Sequence, residues 1–512
     1  MLNELSKTKK LRLFVSHLFL LLEHSRLGFF SGFDIRVSNF RKSVGKLSLP
    51  RLFHVLDLSA KIPYLLLIVI IGFLWLPWLP SPARAQSIEN STPSPSSGQS
   101  SQNSFWKNID THWGGRLKLS GEVSHTDDDT IFKPVGTGTY WDGNFNFRLI
   151  NETFFSDSVF TGIAYELIGA GGDTIRKTNE LEELFPNLPT NVFYLGTQLN
   201  DDRRLMDLTD EIVDEDSHFL VQRLDRLYLA LMPQWGSIKV GRQAITWGNG
   251  FIFNPFDLFN PFPPTAVDRD YKVGDDMLNA QLTIPKIGDI QGLYVVRRNP
   301  ETDDVESDQA SLAGKLHAAA GTTEFEFVAG KHFEDFVIGA GSTGYFGDAA
   351  WRVDGTWTFL DDDEEDDYLS LMANMDYSWV WFEKNFYGFV EYYFNGLGED
   401  DYQEAVLNPA IAERVARGEL FALGNHYLTG QLQVELHPLF NVFFTAINNV
   451  EDPSGILQPY ATWDISQNMQ LTGGANVSYG ERGTEYGGFK LPGTDLRTKS
   501  PDNAYLWLFY YF

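Results

Sequence analysis

The sequence predicts an all-β protein, a transmembrane antiparallel up-and-down β-barrel of about 18 strands with long extracellular loops and short periplasmic turns. Three observations predict this fold. Polar and apolar residues alternate with period two from residue 116 onward, long and short connections follow one another in turn, and the chain ends in an aromatic strand. Strands of about ten residues with one apolar face are typical of barrels that cross the outer membrane.

The alternation is clearest over residues 468–479, NMQLTGGANVSY. Polar or small residues occupy the even positions, and mostly apolar residues occupy the odd positions. Because neighbouring side chains of a strand point to opposite sides of the sheet, this segment has one polar and one apolar face. Residues 116–125 and 368–379 repeat the pattern.

The order of the connections separates a barrel from a soluble sandwich. Connections after odd-numbered segments are mostly long, whereas those after even-numbered segments are a few residues long, as in outer-membrane barrels. An even number of strands also closes the sheet without an open edge, which lipid requires. Segment 336–341 is the weakest, so sixteen strands is the alternative. The eighteen predicted strands are 116–125, 141–151, 157–168, 219–232, 236–244, 274–284, 289–298, 310–320, 323–333, 336–341, 348–359, 368–380, 385–395, 424–436, 441–449, 455–464, 468–480 and 503–512.

The last ten residues, NAYLWLFYYF, end the chain on Phe512. Here the sequence resembles Gram-negative outer-membrane barrels, and the resemblance implies that the barrel assembly machinery reads the C-terminal strand. The blocks GRQAITWGNGFIFNPFDLFNPF (241–262) and EYYFNGLG (391–398) resemble a poorly characterised group of porin-like barrels, distantly similar to alginate-export barrels. The resemblance covers residues 116–512 and implies no substrate.

The N-terminal region predicts export to the outer membrane. An apolar run at 62–80 leads into Ala83-Arg84-Ala85, which fits the cleavage site of a Sec-type signal peptide over 62–85. A transmembrane anchor is the alternative, since the run is nearly long enough to span a membrane. Residues 1–61 are a basic extension or result from a wrongly assigned start, and the Ser/Pro/Gln-rich stretch that opens 86–115 predicts a flexible linker.

Charge and composition exclude several classes of function. The net charge is −28, with +8 on residues 1–85 and −36 on the remainder, so no nucleic acid is expected as a partner. The chain has no cysteine, which excludes disulfides and thiolate metal sites. We expect no cofactor and no enzymatic activity.

Two short motifs suggest chemistry that their context does not support. Gly339, Gly341 and Gly344 form G-x-G-x-x-G, but the motif lies between predicted strands, whereas a dinucleotide site needs a strand followed by a helix. Ser342 lacks the first glycine of a nucleophile elbow. His317 beside Lys315 is interpreted as a hydrated wall residue.

Acidic residues concentrate in the predicted outer loops, at 127–129, 300–308 and 361–367. We interpret them as solvated loop charge. The alternative is binding of divalent cations next to lipopolysaccharide, since carboxylate oxygens suit Ca²⁺ and Mg²⁺.

If the apolar faces meet lipid, the charged residues within strands line the lumen, because Arg or Lys facing lipid at midplane costs ~2–4 kcal/mol. Ion pairing across the wall and solute selection are equally open roles for them. Arg242 is an exception, since its parity places it outward; a bulge at Gly241 or a position above the bilayer would resolve this. The predicted pore-lining residues are Lys118, Arg148, Arg226, Lys239, Lys315, Arg352, Glu122, Glu166, Glu324, Glu326, Asp354, Asp376, Glu391 and Glu435.

The stretch WGNGFIFNPFDLFNPFPP (247–264) is too apolar to stand in water and too rich in proline for a regular strand. We predict that it folds into the barrel, packs on the wall and narrows the pore, with Asp257, Asp268 and Asp270 near the constriction. The alternative is an aromatic belt at the membrane rim. The predicted constriction phenylalanines are Phe251, Phe253, Phe256, Phe259 and Phe262.

These observations together indicate an outer-membrane porin-like channel for passive diffusion of small hydrophilic solutes. Its expected partners are outer-membrane lipid and lipopolysaccharide, the assembly machinery and the solutes. A polysaccharide-export barrel is one alternative, disfavoured by the acidic residues of the predicted lumen. An outer-membrane enzyme or a structural barrel with a plugged lumen is the other.

Overall fold

The computed structural model describes residues 109–185, 199–361 and 365–512. The predicted basic extension 1–61, the signal peptide 62–85 and all but the end of the predicted linker lie outside the described residues. Within the described part of the chain, no helix has the length and apolar character needed to cross a membrane.

The described chain is almost entirely β-sheet. Three helices lie in connections: α1 (Asp173–Leu184), α2 (Tyr402–Ala405) and α3 (Pro409–Arg417). The strands are β1 (Asp110–Thr126), β2 (Gly138–Ser156), β3 (Val159–Gly172), β4 (Thr209–Glu215), β5 (His218–Leu231), β6 (Gly236–Gln243), β7 (Asp275–Ile284), β8 (Gly288–Val295), β9 (Ser311–Ala320), β10 (Thr323–His332), β11 (Asp335–Phe346), β12 (Ala349–Phe359), β13 (Tyr368–Trp381), β14 (Lys384–Asn395), β15 (His426–His437), β16 (Phe440–Asn449), β17 (Ser454–Ser466), β18 (Met469–Tyr479) and β19 (Asp502–Tyr511).

The sheet closes on itself. Each barrel strand pairs antiparallel with the next, and β1 pairs with β19 from Arg116–Tyr511 to His125–Asp502. Strand β4 stands apart, because β3 pairs directly with β5 and β4 adds only to the part of β5 that β6 does not reach. The barrel therefore has 18 strands, which confirms the predicted fold and excludes the sixteen-strand alternative.

The differences from the predicted strands are local. The weak segment 336–341 belongs to a full strand, β11, and β1 begins at Asp110, inside the predicted linker. Strand β4 was not predicted, because its sequence TDEIVDE is acidic and shows little apolar alternation. A turn at Ser217 folds it back onto β5 as a hairpin outside the closed ring.

One face of the barrel wall is apolar and exposed, as a lipid-facing surface is. Val240 and Leu278, which stand opposite each other on β6 and β7, are 53% and 45% exposed. Exposed tryptophans flank the ends of the strands, as aromatic girdles do in membrane barrels. Examples of the exposed apolar residues are Leu229, Trp235, Ile290, Leu312, Phe327, Val353, Met375, Trp381, Val390, Leu432, Phe444, Trp463 and Leu506.

The two ends of the barrel differ in their connections. We call them the short-turn end, where the tight turns such as 321–322 and the residue Phe512 lie, and the long-loop end. Two connections at the long-loop end are nevertheless short, at 333–334 and 450–453. The longest one that enters the barrel joins β6 to β7, and the two largest buried clusters of apolar residues form around it.

Candidate functional site

The connection from β6 to β7, residues 244–274, crosses the barrel interior; we call it the inward loop. Its Trp247 Nε1 donates to Gln291 on β8, and its backbone meets Glu391 on β14. Its last part contacts Gln458 on β17 and Arg116 on β1. A segment rooted between β6 and β7 can reach strands all around the ring only from inside.

Glu391 holds the loop on the far wall. Its carboxylate accepts hydrogen bonds from the backbone N–H groups of Phe251 (2.7 Å), Ile252 (3.0 Å) and Phe253 (2.8 Å). Asn374 on β13 donates to the same carboxylate at 3.1 Å. Glu391 is fully buried, so these charge-assisted bonds replace the water that an ionised carboxylate needs.

Asp354 on β12 makes a second attachment next to the first. It accepts the backbone N–H of Asn249 at 2.7 Å, and Asn374 donates to the carbonyl oxygen of Asn249 at 3.1 Å. Residues 249–253 are therefore fixed by hydrogen bonds to three consecutive strands, β12, β13 and β14. These bonds supply partners for an irregular backbone that no sheet ladder could satisfy.

The phenylalanines of the loop are covered by the wall. Phe251 stacks on Phe389 and Phe253 on Tyr393, each with ring centroids 4.6 Å apart. Phe256 and Phe259 are buried beside Trp247, and Phe262 is half-buried. The wall thus covers the apolar side chains of the loop, which explains how such a loop can lie inside the barrel.

The glycine motif of β11 makes room for this packing. A Cβ atom added to Gly339 would stand 2.7 Å from Cε1 of Phe256, and one added to Gly341 would stand 3.1 Å from Cε2. Side chains at these positions would displace the ring. The motif lies within β11, where its glycines let the ring of Phe256 approach the backbone closely. This agrees with the interpretation that it is not a dinucleotide site.

The second half of the loop is held by charge. Asp268 accepts hydrogen bonds from Arg116 (3.0 Å) and Lys118 (2.8 Å) on β1, and Asp270 accepts from Arg116 (2.8 Å) and from Tyr511 on β19 (3.1 Å). Burial works against the ionised form of Asp268, but Lys118 and Arg116 outweigh it and lower the pKa of Asp268 to about 2.

Asp257 is held within the loop itself. Its carboxylate pairs with the ammonium group of Lys272, which also donates to the carbonyl oxygen of Ile245 at 2.7 Å. Burial raises the pKa of Asp257 and lowers the pKa of Lys272. Lys272 thus joins the two ends of the loop through Ile245 and ties its middle to its last part through Asp257.

A charged network lies on the wall of β2, β3 and β5. Arg148 donates to Glu166 at 2.8 Å and to Asp225 at 2.7 Å. Arg223 donates to Glu166 at 2.6 Å, and Arg226 to Asp225 at 2.6 Å. All these side chains are buried. Removal of any one of them would therefore leave the charge of its partner unpaired inside the protein.

Asp225 was missed by the period-two rule. The register between β3 and β5 shifts at this residue, so both Asp225 and its neighbour Arg226 face the network. An extra residue in one strand reverses the parity of the residues after it. In the sequence, the adjacent charged residues Asp225 and Arg226 within an otherwise alternating strand were the signal of this shift.

The remaining predicted pore-lining residues also find partners. Lys315 contacts Glu326 at 3.0 Å, and Arg352 contacts Asp376 at 2.5 Å. Lys239 lies over the ring of Tyr228, and Glu435 accepts a hydrogen bond from Asn385. Glu324 stands 3.6 Å from His317, and Glu122 is half-buried on β1. Their role in lining a pore stays a prediction.

Arg242 is oriented as its parity predicts. The register of β6 runs without a shift, so a bulge at Gly241 is wrong, and Arg242 stands opposite Asp276 on the face of Val240. Its guanidinium contacts Asp276 and Asp201, both at 2.9 Å. Segment 200–208 therefore covers the charge on the outer wall, at the long-loop end.

The long loops enclose a cavity of about 590 Å³ between residues 129, 400–403 and 482–497. Arg497 joins Asp127 and Asp129 there, and Arg482 contacts Asp129 at 3.0 Å. Among the described residues no group of His, Asp and Glu could hold a metal ion, and residues 362–364 of the acidic run lie outside them. Divalent-cation binding by these loops stays a hypothesis.

No protein-family model and no curated protein matches the chain. Solved structures that match are outer-membrane porin-like barrels. Acinetobacter baumannii OccAB4 is 9% identical, with 80% of this chain and 100% of that chain covered and a TM-score of 0.45. Pseudomonas aeruginosa OpdK, solved with vanillate, is 11% identical, with 78% and 98% covered and a TM-score of 0.40. At these values the likeness concerns the fold alone.

Proposed function

We propose that the protein is an outer-membrane channel through which small hydrophilic solutes diffuse passively. We further propose that the inward loop forms its narrowest part. The observation that carries the proposal is the path of residues 244–274, which are tied to β1, β12, β14 and β17 from inside a closed barrel. A water-filled barrel filters solutes by the width and charge of such a constriction.

The polar wall beyond the loop supports a wet interior. Towards the short-turn end, the inward faces of β15 to β18 carry amides and the carboxylates of Glu435 and Asp464, with Gln433, Asn441 and Gln470 among the amides. Gln433 donates to Asn441 at 3.3 Å, and Gln470 to Asp464 at 2.8 Å. Such polar side chains favour a hydrated interior, as the wall of a diffusion channel requires.

Ion conductance tests the proposal. The purified mature protein in a planar bilayer should give discrete conductance steps, and replacement of residues 251–264 by a short Gly/Ser linker should raise their size. The matched control replaces 300–306, whose side-chain hydrogen bonds stay within the β8–β9 connection. This control should conduct like the wild type.

Two results would contradict the proposal in different ways. A wild-type protein without conductance steps would favour the plugged structural barrel or an enzyme. Equal conductance of the wild type and the 251–264 variant would agree with a channel but would contradict a constriction formed by the inward loop. An export barrel for an anionic polysaccharide is less well supported, since the basic residues of β1, β2 and β5 are bound to carboxylates.

A further inference from the structure

A small cavity of about 30 Å³ lies at the long-loop end, where the inward loop meets other connections. Segment 200–204, the inward loop at Leu258 and Asn260, and the residues at and just after the end of α3 all border it. Four guanidinium groups and two carboxylates face the cavity. They are Arg203, Arg204, Arg297, Arg417, Asp275 and Glu419.

The two carboxylates are already occupied. Asp275 accepts from Arg297 at 2.9 Å and stands 3.7 Å from Arg204, which also pairs with Asp201 at 3.0 Å. Glu419 contacts Nε2 of His332 at 2.9 Å. Arg204 and Arg297 thereby have carboxylate partners. Arg203 and Arg417 lie within the electrostatic reach of Glu419, and Arg417 also pairs with Glu413, but Arg203 has no carboxylate in direct contact among the described residues.

Arg417 is the first of these. Its side chain is 7% exposed, and its Nη2 group pairs with Glu413, whose side chain is 54% exposed. Its Nε–H is buried and has no hydrogen-bond partner among the described residues. The guanidinium lies 3.7 Å from the ring centroid of Phe333, and that of Arg297 lies 4.5 Å from the same ring, so both are held in place.

Arg203 is the second. Its side-chain hydrogen bond goes to the amide oxygen of Gln309, at 3.3 Å. Burial and the neighbouring charge of Arg417 lower the pKa of Arg203. Two cations therefore border one small cavity, where a buried donor without a partner costs roughly 1–3 kcal/mol.

We propose that this cavity binds one small monovalent anion between the guanidinium groups of Arg203 and Arg417. The cavity leaves about 30 Å³ for the centre of a water-sized sphere, and roughly 10–15 Å³ is enough for one water molecule, so a halide ion or the carboxylate group of a small acid has room there. The anion would accept the hydrogen bond of Arg417 Nε. The bound anion would link segment 200–204, the inward loop at Leu258 and Asn260, and α3. The proposal does not depend on whether the barrel conducts.

Bromide makes the site visible, because it scatters anomalously and replaces chloride. Crystals of the mature protein soaked in bromide should show an anomalous peak beside Arg417 Nε. Arg417→Gln should lose the peak, and Arg176→Gln, a matched change on the exposed face of α1, should keep it. A wild-type protein without a peak overturns the proposal.

Thermal unfolding in detergent gives an independent readout in solution. At constant ionic strength, the midpoint for the wild type should be higher in bromide or formate than in gluconate, which is too large for the cavity. A rise with bromide identifies a free halide, and a rise with formate alone identifies a carboxylate group. Equal midpoints in the three salts, or the same rise in Arg417→Gln, contradict the site.

Discussion

The two halves of the inward loop are attached to the wall by different chemistry. Residues 249–253 donate backbone hydrogen bonds to the buried carboxylates of Asp354 and Glu391. Residues 268–270 present carboxylates to Arg116 and Lys118, and the Asp270 side chain is 45% exposed. A backbone donor cannot move away to find another partner, whereas a half-exposed ion pair can exchange its partner for water and salt. The first half should therefore set the position of the loop, and the second should adjust it.

Removal of the Glu391 carboxylate should have the largest effect. Glu391→Ala leaves three backbone N–H groups without their acceptor, at roughly 1–3 kcal/mol for each that water does not reach. Single-channel recordings should show larger, noisier conductance steps than in the wild type. Glu301→Ala is the control, since Glu301 is exposed in the β8–β9 connection. Identical recordings from both variants would refute the anchoring role of Glu391.

Truncation of the buried ring should have the next largest effect. Phe256→Ala opens a cavity in a fully buried cluster, and such a change costs roughly 3–5 kcal/mol. The loop should become accessible to added protease in detergent, and the unfolding midpoint should fall. Phe346→Ala, at a position 82% exposed, should change neither. A Phe256→Ala protein as resistant as this control would show that the ring does not hold the loop.

The ion-pair attachment should give the smallest effect, together with a distinct dependence on pH. Because the pKa of Asp268 is lowered to about 2, its contribution to stability is fully present above the ordinary pKa near 4. It is lost as the pH falls through about 2. Wild-type conductance should thus keep its Asp268-dependent part from pH 7 to pH 4.

Asp268→Asn should show a modest rise in conductance already at pH 7, because it removes the negative charge that Arg116 and Lys118 share. Asp304→Asn is the matched control, since Asp304 is exposed in the β8–β9 connection. A wild type that acquires the conductance of Asp268→Asn at pH 5 would contradict the lowered pKa.

The fold was predictable because an apolar outer face and a polar inner face impose one rule on every strand. All eighteen barrel strands overlap predicted segments, although the glycine motif, predicted to lie between strands, is part of β11. Strand β4 could not be predicted, since it lies outside the closed ring and needs no apolar face. Its stability comes from the free edge of β5, which no local pattern records.

The site was predictable in kind and less so in detail. Parity identified Asp354 and Glu391 as inward residues, and composition marked the loop at 247–264. Which carboxylate meets which donor depends on contacts such as Asp268 with Lys118, 150 positions apart. The basic cavity at Arg203 and Arg417 was not predicted at all, because five separate connections and β7 form it.

Closure of the barrel has a consequence for the order of assembly. The sheet is sealed between its first and last strands, where Gly115 and Phe512 exchange backbone hydrogen bonds of 2.8 and 3.1 Å. Asp270 accepts bonds from both seam strands, from Arg116 and from Tyr511. The pairing with the greatest separation along the chain is entropically the most expensive to form, and it comes late in folding. Through Asp270 the inward loop contacts both ends of the sheet, so the same side chain that holds the loop inside also helps to seal the barrel.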